Sequence, residues 1–288
     1  MNNAARVKEI HPCFGAKNNK GRIHLPVCPQ CNIQCDFCDR QINNHEVRPG
    51  VTSTILPPEE AIGIIERSVI LCPDITVAGI AGPGDTLASD DAIKTFRLVK
   101  ERYPGLLKCM STNGLLLEER AEELIEVGID TLTVTVNAVD PTILAKIVSK
   151  ISYHGSVYEG VEGAEILIRN QLGGIKKMAE AGVTIKVNTV LIVEINRHHI
   201  KEIAKAVSRA GATIYNIIPL IPQNRMAHYL EPGCSDIDGA RREAEEYMDV
   251  FRHCQRCRAD AIGIPGGLEI SDKVYQQKPL FKETFSHG

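Results

Sequence analysis

The sequence predicts an α/β fold, a partial (β/α)6 barrel of the TIM type with N- and C-terminal extensions, on three observations. The 288 residues are 43% hydrophobic, enough for one sizeable core. Apolar segments and segments of helical period alternate about six times, the mark of a parallel sheet wound by right-handed crossovers. The residues with unusual chemistry fall directly after the apolar segments, where α/β barrels gather their reactive groups.

The expected strands are RIHLPV (22–27), ITVAGI (75–80), LLKCM (106–110), TLTVTV (131–136), TIKVNTVLIV (184–193) and ATIYNIIPL (212–220). Between them, PPEEAIGIIERSVIL (opened by Pro57 and Pro58), DDAIKTFRLVKERY, EERAEELIEV, GIKKMAEAG and NRHHIKEIAKAVSRAG carry helical periodicity. Residues 151–170, with His154, Gly155, Gly160 and Gly163, read as an insertion before a helix. In TLTVTVN, period-two alternation puts Thr131, Thr133, Thr135 and Asn137 on one face and Leu132, Val134 and Val136 on the other, which suits a polar barrel interior with an apolar, helix-facing exterior. Past Leu220 come a loop, a charged helix over roughly 236–253 and a polar tail. The expected organisation is an N-terminal extension (1–21), the barrel (22–222), a C-terminal helix and ligand segment (223–265) and a flexible tail (266–288).

A net charge of −3, without long blocks of one sign, offers no footprint for nucleic acid or an anionic membrane. The N-terminus has no signal-peptide pattern, and no window of about 18 uncharged apolar residues occurs, so a cytoplasmic protein is expected. In a reducing compartment, ten cysteines point to metal or redox chemistry rather than to a disulfide framework.

Cys31, Cys35 and Cys38 in CNIQCDFC have the C-x3-C-x2-C spacing that holds a 4Fe-4S cluster with one iron left open. Four thiolates would saturate the cluster. Three leave an iron free to chelate the amino and carboxylate groups of S-adenosylmethionine (SAM), so that an electron from the cluster can cleave the sulfonium. This is the radical SAM reading. The competing reading is a structural zinc site with Cys28 as fourth ligand through CPQC (28–31), although zinc sites usually pair two C-x2-C hooks across a longer loop.

HPCF (11–14), CNIQCDFC (31–38), RPGV (48–51), AGIAGPGDTLA (78–88), STNGL (111–115), TVTVNAVDP (133–141) and CRADAIG (257–263) together resemble the NifB family of nitrogenase cofactor biosynthesis proteins, radical SAM enzymes, in the stand-alone form without a NifX-like domain. The resemblance implies coupling of two 4Fe-4S clusters with insertion of a SAM-derived carbide and a sulfur, giving an 8Fe-9S-C precursor. It carries the first substrate cluster to Cys13, His24 and Cys109, and the second to Cys254 and Cys257. Many members have another cysteine shortly after the radical motif, whereas DRQINNHEVRPG (39–50) has none; Cys28, His45 and Cys234 are candidate substitutes, with Cys28 preferred because period-two geometry would put it on the face of His24. Gly82, Pro83 and Gly84 resemble a backbone platform for SAM, and Ser111, Thr112, Asn113 and Asn137 are candidates to hydrogen-bond it. Glu46, Arg48 and Arg258 are candidates for proton removal or charge balance. Implied partners are an electron donor of ferredoxin or flavodoxin type, an iron–sulfur cluster donor and a downstream carrier or scaffold of NifX or NifEN type. Two alternatives stand beside this: another radical SAM enzyme with auxiliary clusters, and a non-catalytic iron–sulfur carrier.

Overall fold

The structure, a computed structural model, describes residues 2–16, 19–275 and 283–284. Six parallel strands follow one another in chain order: β1 (Gly21–His24), β2 (Ile75–Ile80), β3 (Leu107–Thr112), β4 (Thr131–Thr135), β5 (Thr184–Leu191) and β6 (Ile214–Pro219). Two short strands extend the sheet, β7 (Asp249–Val250) parallel to β6 and β8 (Ile262–Gly263) antiparallel to β1. The order β7-β6-β5-β4-β3-β2-β1-β8 leaves the two ends unpaired with each other, so the sheet is a partial barrel and does not close.

Alternation along the strands sorts core from interior as the sequence predicts. Leu132, Val134 and Val136 are fully buried against the outer helices, each side chain contributing roughly 1.5–3 kcal/mol of burial. The outer layer comprises α2 (Pro58–Leu71), α3 (Asp91–Arg102), α4 (Ala121–Val127), α5 (Gly160–Glu180), α6 (Ile200–Ala210) and α7 (Cys234–Glu245). An N-terminal helix, α1 (Asn3–Ile10), lies across the N-terminal end of the barrel instead. Its Asn3 amide donates to the Asp130 and Gly182 carbonyls and its Arg6 to the Gly105 carbonyl, all just before strands. Val7 and Phe14 pack on Val77 and Leu107 at the beginnings of β2 and β3.

Three sequence expectations are corrected. The charged helix ends at Glu245 rather than 253, because the chain turns to pair Asp249 and Val250 with β6. The supposed insertion is only a hairpin, Val148–Tyr153 with Ser156–Tyr158, after which Gly160 already opens α5. That hairpin braces the cysteine loop, since Val148–Tyr153 pairs with Ile33–Cys35, with Ile33 opposite Ile151 and Cys35 opposite Val148. Within the stretch expected as a tail, α8 (Ser271–Tyr275) buries Val274 in the main core, and Tyr275 donates to the His24 carbonyl at 2.9 Å; the rest of that expectation, 276–282 and 285–288, lies outside the described residues. Among the described residues no helix is long and apolar enough to cross a membrane.

Candidate active site

Inward-facing alternate residues line one cavity of about 340 Å3: Val77 and Gly79 on β2, Cys109 and Ser111 on β3, Thr133 and Thr135 on β4, Lys186 and Asn188 on β5, Asn216 and Ile218 on β6. Because these positions run along the strands, the cavity is the barrel interior rather than a pocket confined to its mouth. From the α1 end, His11, Cys13 and Phe14 reach into it; from the C-terminal segment come Phe251, His253, Cys254 and Cys257; His24 joins from the end of β1. The five residues assigned to substrate clusters therefore share one cavity. Gly79 is what makes room for the imidazole: a Cβ there would sit 3.3 Å from His24 Cδ2 and equally close to the Ile23 carbonyl.

A second cavity of about 190 Å3 adjoins it and contains Cys31, Cys35 and Cys38. The two share Phe37, Cys38, Ala81, Pro83, Ser111 and Thr135, so they are continuous. Cys31 and Cys35 rest on a small apolar cluster with Ile33, Val148 and Ile151, which gives the loop its own foundation. Burial, then the Asp85 carboxylate, pushes the Cys31 thiol up to about 12. Burial and the neighbouring Cys38 and Cys31 hold Cys35 well above the ordinary thiol range. The three thiols line this one cavity together. No fourth cysteine and no histidine lines this cavity among the described residues. The donor set thus fits a three-thiolate 4Fe-4S cluster with an open iron, whose bound metal would draw off the thiol protons. Among the described residues no three His, Cys, Asp or Glu side chains are grouped as for a single metal ion.

Asp85 organises the SAM side of this cavity. Its buried carboxylate accepts from Thr112 Oγ1 at 2.9 Å, Asn113 N at 2.6 Å and Leu87 N at 3.0 Å. Asn113 Nδ2 in turn donates to Asn32 Oδ1 at 2.7 Å and lies 3.8 Å from Cys31 Sγ. Gly84 is a close-approach glycine: its N–H donates to the Cys28 carbonyl at 2.7 Å, and a Cβ would stand 2.0 Å from the Gln30 carbonyl oxygen. Of the proposed SAM residues, Pro83, Gly84, Ser111, Thr112, Asn113 and Asn137 line the cavity and Gly82 does not. Asn137 Oδ1 accepts from Val190 N at 2.9 Å, which fixes the side chain on its strand.

Other assignments are not brought to either cavity. Cys28 is fully buried in the main core, and burial with Asp85 and Asp91 raises its thiol. It does not share the face of His24, because β1 ends at His24 and Val27 N–H turns back to the Leu25 carbonyl at 2.9 Å, a tight three-residue turn that breaks alternation. His45 is exposed beside Glu46, and Cys234 is exposed at the start of α7. Glu46, Arg48 and Arg258 form a clamp outside the cavities. Arg48 bonds Glu46 at 2.7 Å and Asp39 at 3.0 Å, while Arg258 bonds Asp260 at 2.9 Å and the Asn43 carbonyl at 2.8 Å.

Sequence reasoning missed the interior cations. Arg22, at 3% exposure, donates to the Gly263 carbonyl at 2.9 Å and lies 3.4 Å from Cys257 Sγ. Lys186 Nζ donates to the Cys13 carbonyl at 3.1 Å. Each charged residue alternates with apolar ones in its strand, and that is the available signal. Burial and then Arg22 lower His24 to about 4; its Nδ1 lies 3.1 Å from the Arg258 carbonyl, which selects the Nδ1–H tautomer and leaves Nε2 unprotonated. Burial raises Cys109 to about 12 and also raises Cys13.

The Radical SAM superfamily model matches residues 25–207. The chain is 44% identical over 282 residues to the FeMo cofactor biosynthesis protein NifB of Methanocaldococcus jannaschii, covering 96% of this chain and 94% of that one. It is 38% identical over 266 residues to the protein of that name from Azotobacter vinelandii, covering 89% of this chain but 53% of the relative. Streptococcus suis SuiB bound to S-adenosylmethionine superposes with a TM-score of 0.59 at 13% identity, over 86% of this chain and 52% of SuiB. Methylornithine synthase PylB superposes with a TM-score of 0.51 at 15% identity, over 86% of this chain and 69% of PylB. At these identities the two structures bear on the fold alone.

Proposed function

The chain belongs to the NifB family of FeMo cofactor biosynthesis proteins within the radical SAM superfamily, and from that premise we propose that it couples two 4Fe-4S substrate clusters, with a carbide from the SAM methyl group and an added sulfur, into an 8Fe-9S-C precursor. The observation that carries this reading is the continuity of the two cavities, which puts Cys38 on the wall common to the three-thiol site and the substrate ligands. When bound, the 4Fe-4S cluster of Cys31, Cys35 and Cys38 with SAM supplies a methyl group and a deoxyadenosyl radical.

The chain's own residues do the rest. Asp85 holds Thr112 and Asn113 in place beside Cys31, so that the turn after β3 offers polar groups toward SAM. Cys13, His24 and Cys109 hold the first substrate cluster, and Cys254 and Cys257 the second. An imidazole ligand binds iron less firmly than thiolate, which suits a cluster that must leave. Glu46, Arg48 and Arg258 tie the loop after the radical motif to the segment following Cys257, and so position both. A ferredoxin or flavodoxin supplies electrons, a cluster donor supplies the substrates, and a carrier or scaffold of NifX or NifEN type takes the product, in the cytoplasm.

The test is anaerobic reconstitution followed by dithionite and SAM, with deoxyadenosine, S-adenosylhomocysteine and iron measured together. Both nucleoside products and about twelve irons per chain, three 4Fe-4S clusters, are expected. Deoxyadenosine without S-adenosylhomocysteine would overturn methyl donation. Neither product, with iron bound, would establish a carrier.

A further inference from the structure

Two lysines are buried on the strands, and they are treated differently. Lys108, at 8% exposure, is paired with Asp130 at 3.4 Å. Lys186, at 6% exposure, points into the barrel and has no carboxylate within ion-pair distance among the described residues. Its ammonium donates to the Cys13 carbonyl at 3.1 Å and lies over the Phe14 ring at 4.6 Å and the Phe251 ring at 5.2 Å. A carbonyl and two ring faces offset only part of what an ammonium loses on leaving water. The other interior cation, Arg22, has Glu269 at 3.6 Å. Lys186 is thus the cation whose balancing charge the protein leaves to the cavity.

The cavity at that point is walled by Cys13, His24 and Cys109. A 4Fe-4S cluster held there by two thiolates and an imidazole gains a negative charge when it takes up an electron. A fixed cation on the cavity wall favours that state, and the low polarity of the surroundings strengthens the effect.

We propose that Lys186 is the fixed countercharge of the first substrate cluster, a positioning residue that holds the Cys13 segment against the interior and raises the cluster's midpoint potential. This rests on the reading of Cys13, His24 and Cys109 as that cluster's seat. It also gives the aromatic pair a purpose: Phe14 and Phe251 shield the ammonium from solvent without neutralising it.

The test uses the full chain with Cys31, Cys35, Cys38, Cys254 and Cys257 changed to alanine, reconstituted anaerobically with iron and sulfide and titrated with dithionite under electron paramagnetic resonance. In that background Lys186→Met, which keeps the apolar stem, should lower the reduced-to-oxidised ratio of the cluster about tenfold at fixed potential, a negative shift of about 59 mV for one electron. Lys186→Arg should restore most of it. Lys186→Gln repeats the reading should the methionine variant not fold, as judged by circular dichroism. A purely structural lysine would change thermal stability and leave the potential alone; an unchanged potential, or the same shift in Lys186→Arg, overturns the proposal. If the lysine-containing background binds no iron, the seat itself is misassigned and the proposal falls with it.

Discussion

Cys31, Cys35 and Cys38 come from eight consecutive residues, whereas Cys13, His24, Cys109, Cys254 and Cys257 come from four separate stretches of chain. The first set stands on a loop clamped by a local hairpin and a small apolar cluster of its own. The second exists only when α1, β1, β3 and the C-terminal segment have all been brought to the barrel interior. A cofactor that stays can be held by one rigid loop. Substrate clusters that must enter and leave are better held by several segments, no one of which binds them alone.

The sharpest way to break this contrast is to remove a thiolate from each set. Cys35→Ala should lower deoxyadenosine formation at least about a hundredfold, beyond the 10- to 100-fold typical of losing an outer partner of a metal ligand, because the ligand itself is gone. Cys109→Ala should leave SAM cleavage in place, remove about four irons per chain and stop formation of the coupled cluster. If Cys109→Ala abolished deoxyadenosine as thoroughly as Cys35→Ala, the two sites would not be separable. Asp85→Asn probes the turn between them. Losing the charge that accepts from Thr112, Asn113 and Leu87 should raise the KM for SAM about tenfold, with iron content unchanged.

The smallest expected effect is on stability without iron. His24 in the fold sits near 4 against an ordinary 6.5, so the unfolded chain takes up the proton first; stability is present above about 6.5 and lost as pH falls towards 4. Cys31 and Cys109 are raised from 9.0 to about 12, so their contribution is present below 9 and lost as pH rises above it. Urea melts of iron-free protein should therefore show a plateau between about 6.5 and 9, falling by about 1 kcal/mol at pH 5 once screening by water in the open cavity is allowed for. His24→Gln should reduce the acid limb without abolishing it, because burial also holds His11 well below its ordinary range; an unchanged limb would place the whole titration elsewhere.

Legibility in the sequence follows the same division. The radical motif is readable because its ligands are neighbours in sequence, and the inward face of β4 because strict alternation survives along Thr131, Thr133 and Thr135. Cys28 is misplaced by extending that alternation through the turn at Val27, which no period reveals. Lys186 and Arg22 escape because a single charged residue among apolar neighbours in a strand looks the same whether it faces solvent or a cavity. The charged face of α7 suggests a longer helix, but the competing pairing of Asp249 and Val250 with β6 ends it. Local chemistry is visible; what depends on contacts between the two ends of the chain is not.

The pairing of β1 with β8 ties those ends together, Arg22 opposite Gly263 and Ile23 opposite Ile262. During synthesis the first strand of the barrel precedes its partner by more than 200 residues, and one of its edges stays bare until Ile262 and Gly263 have left the ribosome. A bare edge of that kind is a template for another nascent chain. Synthesis of β8 thus covers that edge and follows closely on Cys254 and Cys257, so a chain released before it is an aggregation hazard that also lacks the proposed second substrate seat.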